Sequence, residues 1–204
     1  MADLAVPFDQ RIRITALRAS LVPAVMLLAF TRSAWADTHW LFEVFEVLGV
    51  FLVIAGVLGR FWSILYIGGR KNREVLSDGP YSMCRHPLYF FSTLGVVGFG
   101  LMLGSLVTTA ILGSLVFAIL SATARREEAF LRAEFGPAYE AYAARVPRIL
   151  PRPSLYRSPA QVTFDVAVLR RNLRDALVFL ALIPLAELME AVHESAAIPH
   201  LLIP

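Results

Sequence analysis

The sequence predicts an all-α protein, a polytopic membrane helix bundle with four to five transmembrane spans. Three observations predict it. Of its 204 residues, 57% are hydrophobic and only 17% are charged, against about 25% charged in a soluble domain. The apolar residues come in long runs separated by short polar segments. The arginines gather at the ends of those runs. The length fits one membrane domain, 1–204. The net charge of +3 is small, and the arginines border apolar runs without forming one basic face, which excludes a nucleic-acid-binding protein. Cys84 is the only cysteine, so no intrachain disulfide forms.

In chain order, residues 1–19 place Arg11, Arg13 and Arg18 around Ile12, Ile14 and Leu17, an amphipathic lead-in suited to a membrane surface. Residues 20–36 form the first apolar run, interrupted by Pro23, near the lower limit of about 17–25 residues for a span. A rival reading is a secretory signal with an Ala34-Trp35-Ala36 cleavage site; Arg32 and Trp35 fit it poorly. Residues 42–67 form the second span. Glu43 and Glu46 lie one turn apart at its start and read as interfacial. Arg60 lies inside this run, where a charge is costly. It either binds an anionic substrate group or snorkels to the nearer interface.

Residues 68–87 form a polar loop with Arg70, Lys71 and Arg73, and residues 88–103 the third span. Gly104-Ser105 is a tight turn into the fourth span, 106–124. So short a link predicts an antiparallel hairpin, with Gly100-xxx-Gly104 as a small-residue packing pattern. Residues 125–145 are too polar to span. Leu131, Phe135, Tyr139 and Tyr142 recur at helical spacing, with Glu128 on the inward face and Arg126 and Arg132 in water. Gly136-Pro137 breaks this helix. Pro147, Pro151 and Pro153 make an extended exit. Residues 154–204 read as a C-terminal extension. A basic connector runs to 175, and Leu177 to Met189 is either a fifth span or a surface helix. Glu190 and His193 share a helical spacing there, without a third ligand at metal spacing.

The clusters at 11–18, 70–85 and 125–174 are separated by even numbers of crossings. All therefore lie on one face, which the positive-inside rule makes cytoplasmic. This predicts an integral membrane protein with a cytoplasmic N-terminus, in the inner membrane if the source is bacterial.

One polar stretch stands out: Gly79-Pro80-Tyr81-Ser82-Met83-Cys84-Arg85-His86-Pro87-Leu88-Tyr89. Gly79-Pro80 reads as a turn. Pro87 suits a first helical turn, so Arg85 and His86 precede a helix start, where free N–H groups favour an anion. Cys84 reads as a catalytic thiol or, more plainly, as a small residue beside the helix start. A second block holds Arg125-Arg126-Glu127-Glu128, Phe135-Gly136, Tyr139, Tyr142 and Val146-Pro147-Arg148. In order and composition the two blocks resemble the isoprenylcysteine carboxyl methyltransferase and phospholipid methyltransferase family, integral membrane enzymes that use S-adenosylmethionine. A looser echo begins at Arg60-Phe61-Trp62, so the family-like core is 60–151. One departure is Phe91, where the family usually has a small residue; helix packing and substrate access turn on it.

The resemblance implies a cytoplasmic S-adenosylmethionine site walled by Gly79, Tyr81, His86, Pro87 and Tyr89. Glu127 and Glu128 alone read as helix-start carboxylates; with the resemblance they read as cofactor contacts. Carboxylates suit ribose hydroxyls or an ammonium, and Arg85 suits the cofactor carboxylate. Arg60 is the substrate-side candidate. No residue is assigned as a catalytic proton carrier, and no metal is implied. In-line methyl transfer depends mainly on alignment, and a carboxylate acceptor needs no base. The expected acceptor is lipid-like or apolar and arrives from the bilayer, with O-methylation of a prenylcysteine-type carboxylate favoured. Phospholipid amines and small thiols stay open as acceptors. The competing class is a non-enzymatic membrane protein, which would need polar residues along a through-path; the spans carry few.

Overall fold

A computed structural model of the chain describes residues 31–33, 39–70, 73–181, 183–184, 188 and 201–203. The first predicted span, residues 20–30 and 34–36 of it, and the Glu190–His193 pair lie outside the described residues. The helices are α1 (His39–Ile67), α2 (Pro80–Met83), α3 (Pro87–Met102), α4 (Leu106–Arg145) and α5 (Val166–Leu180). Beside them, β1 (Thr31–Ser33) and β2 (Leu201–Ile203) pair in parallel, Arg32 opposite Leu202. The all-α expectation thus holds for the core, with one short ladder added.

Among the described residues, two helices, α1 and α4, are long and apolar enough to cross a membrane. At 1.5 Å per residue, the 29 residues of α1 reach about 43 Å, beyond a hydrocarbon core of about 30 Å. The 16 residues of α3 reach only about 24 Å. Along α1, Trp40, Val44, Val47, Phe51 and Leu58 are exposed. They form a stripe at helical spacing that suits lipid.

α3 packs on both α1 and α4. Glycines set how closely. A Cβ on Gly98 would lie 2.6 Å from Gly49 O and 2.7 Å from Val53 N, and one on Gly56 would lie 2.9 Å from Gly95 N. The two backbones therefore touch, as small residues permit between membrane helices. Phe91 completes the seam. Its ring occupies the space a side chain on Gly59 would need, beside Trp62 and Phe90. The packing question that Phe91 raised is answered by the glycine opposite it. Across the hairpin, Gly100 backs onto Thr109. The Ser105 hydroxyl accepts from Thr108 N at 3.1 Å and caps α4.

The predicted break is present: Gly136 has φ 48° and ψ −126° inside α4, a left-handed conformation that glycine adopts without a Cβ penalty. The membrane segment of α4 ends near Ala124, where the arginines begin.

The C-terminal part differs from expectation. A basic connector was predicted to residue 175, but α5 begins at Val166. The Asp165 carboxylate accepts from Ala167 N at 2.8 Å and Val168 N at 3.0 Å, an N-cap that starts the helix early. Arg170, Arg171 and Arg174 are therefore helical. Val168 sits near Gly68 at the end of α1, and Ile183 packs on Val53, Phe99 and Met102. The segment thus runs antiparallel along α1.

Candidate functional site

The site forms where both sequence blocks meet, at the end of the bundle where α1 stops, α3 starts and α4 turns polar. Gly79 begins the wall. It has φ 56°, and the Tyr66 ring covers the position of a side chain there, so only glycine fits. Ser82 donates to Gly79 O at 2.6 Å, closing the turn into α2. The extended exit then runs back over this loop. Arg85 N donates to Pro147 O and His86 N to Arg148 O, both at 2.9 Å. Arg152 N donates to Met83 O at 3.0 Å, and Gly79 N to Arg157 O at 2.7 Å. The prolines of the exit keep it extended, leaving its carbonyls available to the loop. Tyr66 Oη and Ser158 Oγ share a hydrogen bond at 2.7 Å. This exit is thus the clamp on the first motif.

Glu128 lies at the centre and is 0% exposed. Arg148 Nε donates to both of its oxygens at 3.1 Å, and Nη2 donates to Oε2 at 3.0 Å, a fork on a carboxylate. Arg85 Nε lies 3.1 Å from Oε1, and His86 Nε2 lies 3.3 Å from it, both off the hydrogen-bond line. Arg132 Nη1 stands 3.8 Å from Oε2 and also pairs with Glu140 at 2.8 Å. Burial pushes the Glu128 carboxyl up. The polar contacts of His86 and Arg148 and the charge of Arg85 outweigh it and hold the group down at about 2. Glu128 is therefore an anion across the physiological range, and its lone pairs are engaged by protein cations. Glu127 is different: 18% of its side chain is exposed, and Oε2 lies 3.7 Å from His86 Nδ1.

Aromatic rings wall the cluster. His86 and Tyr89 stack at 5.3 Å with planes 2° apart. Pro87 is buried at the first turn of α3. Tyr142 donates its hydroxyl to Tyr81 O at 2.7 Å. The hydroxyls of Tyr81 and Tyr139 are buried without a hydrogen-bond partner among the described residues. Cys84 is buried, and burial pushes its thiol up to about 12; a thiol so hard to ionise is a poor nucleophile. The small-residue reading of Cys84 is the one the geometry favours.

The predicted residues Gly79, Tyr81, Arg85, His86, Pro87, Tyr89, Glu127 and Glu128 thus fall in one region, with Gly79 under Tyr66. Arg60 is placed elsewhere, in the α1–α3 seam, where Nη1 donates to Ser92 Oγ. Sequence reasoning missed Arg148 as the main partner of Glu128. The signal existed: an inward glutamate needs a cation, and Arg148 stands in the second block. Among the described residues, no three His, Cys, Asp or Glu side chains come together to hold a metal ion.

The residues fit S-adenosylmethionine. Two orphaned buried hydroxyls, the Arg85 guanidinium and the accessible part of Glu127 offer donors and an acceptor to an amino-acid end and a ribose.

A family model described as phospholipid methyltransferase matches residues 42–138. The chain is 38% identical over 192 residues to the cobalt-zinc-cadmium resistance protein CzcN of Cupriavidus metallidurans, covering 94% of this chain and 88% of the relative. It is 37% identical over 181 residues to the nickel-cobalt-cadmium resistance protein NccN of Alcaligenes xylosoxydans xylosoxydans, covering 88% and 84%. It is 29% identical over 110 residues to the protein-S-isoprenylcysteine O-methyltransferase of Schizosaccharomyces pombe, covering 52% and 47%. No solved structure matches significantly. The chain belongs to the isoprenylcysteine and phospholipid methyltransferase family of membrane proteins.

Proposed function

We propose that this family member is an integral membrane enzyme that transfers a methyl group from S-adenosylmethionine to a lipid-like or apolar acceptor at the cytoplasmic end of the bundle. The observation that carries the reading is the convergence of both sequence blocks on buried Glu128. When bound, the cofactor supplies an electrophilic methyl on a cationic sulfur. The chain's own residues bind and align. Arg85 and Glu127 are charged groups with capacity to touch the cofactor. Glu128 is a positioning residue that fixes Arg85, His86 and Arg148 at once. Arg60, at bilayer depth beside Ser92, faces the acceptor's anionic group.

We favour a carboxylate acceptor of prenylcysteine type. Its oxygen is already an anion, so no proton need be removed, and in-line alignment can supply most of the rate. The two bacterial relatives are named metal-resistance proteins, which supports a role for the reaction in that setting. Esterifying a carboxylate removes a charged oxygen pair of the kind that binds divalent cations, which links the chemistry to that setting. The phospholipid methyltransferase match supports a second reading, an amine acceptor on a lipid headgroup.

The test is incubation of membranes carrying the protein with methyl-tritiated S-adenosylmethionine, followed by mild base. Label released as volatile methanol identifies a carboxyl ester and supports the reading. Base-stable label in lipid identifies the amine reading. No protein-dependent label overturns both.

A further inference from the structure

Two tyrosines stand three residues apart on the segment of α4 beyond the Gly136 break. Tyr139 and Tyr142 are 2% and 4% exposed, and their rings meet edge to face at 5.9 Å. They share one apolar cluster with Val146, Leu131 and Phe135. Their hydroxyls fare differently. Tyr142 Oη donates to Tyr81 O at 2.7 Å, whereas Tyr139 Oη has no hydrogen-bond partner among the described residues. Burying a phenol without a partner is costly, and phenylalanine would fill the same apolar space without that cost. The oxygen therefore asks for a ligand. Burial holds the Tyr139 hydroxyl up at about 12, so it remains a proton donor at any working pH. The Arg132 guanidinium lies over its ring, 5.9 Å from the centroid. Arg85 and Arg148 meet at Glu128, one contact further. The second orphaned hydroxyl, Tyr81, belongs to the first motif, and its carbonyl receives the Tyr142 bond.

We infer that Tyr139 is a cofactor-binding residue, its hydroxyl donating to the carboxylate at the amino-acid end of S-adenosylmethionine. Arg85, Arg132 and Arg148 converge on this region, and guanidiniums are suited partners for a carboxylate. The inference rests on the methyltransferase reading above. Its test compares Tyr139→Phe with Tyr142→Phe, each purified in detergent. Calorimetric titration with S-adenosylhomocysteine is paired with thermal unfolding of the ligand-free protein. Tyr139→Phe should weaken binding about tenfold while its ligand-free melting temperature stays level or rises. Tyr142→Phe, which breaks an existing bond, should lower the melting temperature. Wild-type affinity in Tyr139→Phe, or a melting loss matching that of Tyr142→Phe, overturns the inference. An equal loss of affinity for 5′-methylthioadenosine, which lacks the amino-acid end, overturns the carboxylate assignment. If the wild-type protein itself fails to bind S-adenosylhomocysteine, the methyltransferase reading falls instead.

Discussion

The α1–α3 seam and the Glu128 cluster hold neighbouring parts of one bundle by opposite means. The seam is glycine against backbone, with Gly98 on Gly49 and Phe91 on Gly59, and Arg60–Ser92 adds a polar bond. The cluster is a buried anion gripped by arginines from a loop, a helix and an extended exit. The seam's strength comes from shape, so added volume should break it and acid should not. The cluster's strength comes from charge, so neutralisation should break it. A membrane protein can afford the first anywhere along its spans. The second sits where the apolar stretch of α4 ends and its arginines begin.

The largest expected effect is in the cluster. Glu128→Ala leaves Arg85 and Arg148 without their anion and should cost about 3–5 kcal/mol, read as a drop in melting temperature in detergent. A loss no greater than that of a surface variant would show that the cluster is not structural. Next is the seam. Gly98→Ala puts a Cβ 2.6 Å from Gly49 O, where backbone cannot yield cheaply, and should cost about 1–3 kcal/mol. Cofactor affinity per folded molecule should stay unchanged there, which separates seam from site. Tyr142→Phe removes one buried bond to Tyr81 O and should cost about 1 kcal/mol.

The pH effect is confined to the acid range. The Glu128 carboxyl is held at about 2, below its ordinary 4.5. Its contribution to stability is therefore fully present above pH 4.5 and is lost as pH falls from there towards 2. Between pH 7 and 5 it should change nothing. Glu128→Gln should flatten the acid limb, while Gly98→Ala should keep the wild-type shape. An acid limb identical in wild type and Glu128→Gln would assign the titration to another group.

Much of this was legible in the sequence, and the physics says which parts. Hydropathy located α1 and α3 to within three residues, since a span is set by local composition. The break followed from the Gly136-Pro137 pair itself, and inward Glu128 from helical spacing. Long-range partners were not legible. Arg148 is 20 residues from Glu128, and no local rule chooses it over Arg125 or Arg126. The clamp of 147–157 on 79–86 is backbone pairing between distant segments, which side-chain identity does not encode. Tyr66 over Gly79 joins α1 to the loop and has no signal beyond the glycine itself. The start of α5 rests on the Asp165 cap of Ala167 N and Val168 N, a weaker sequence signal than the arginines that follow.

The central claim is that Glu128 organises a cofactor site through its cations. Calorimetric titration of wild-type and Glu128→Gln protein with S-adenosylhomocysteine, with melting temperatures recorded beside it, tests this most directly. The account predicts saturable binding in the wild type and at least a hundredfold loss, on the order of 3 kcal/mol, in Glu128→Gln that remains folded. Equal affinity in the two proteins would contradict it.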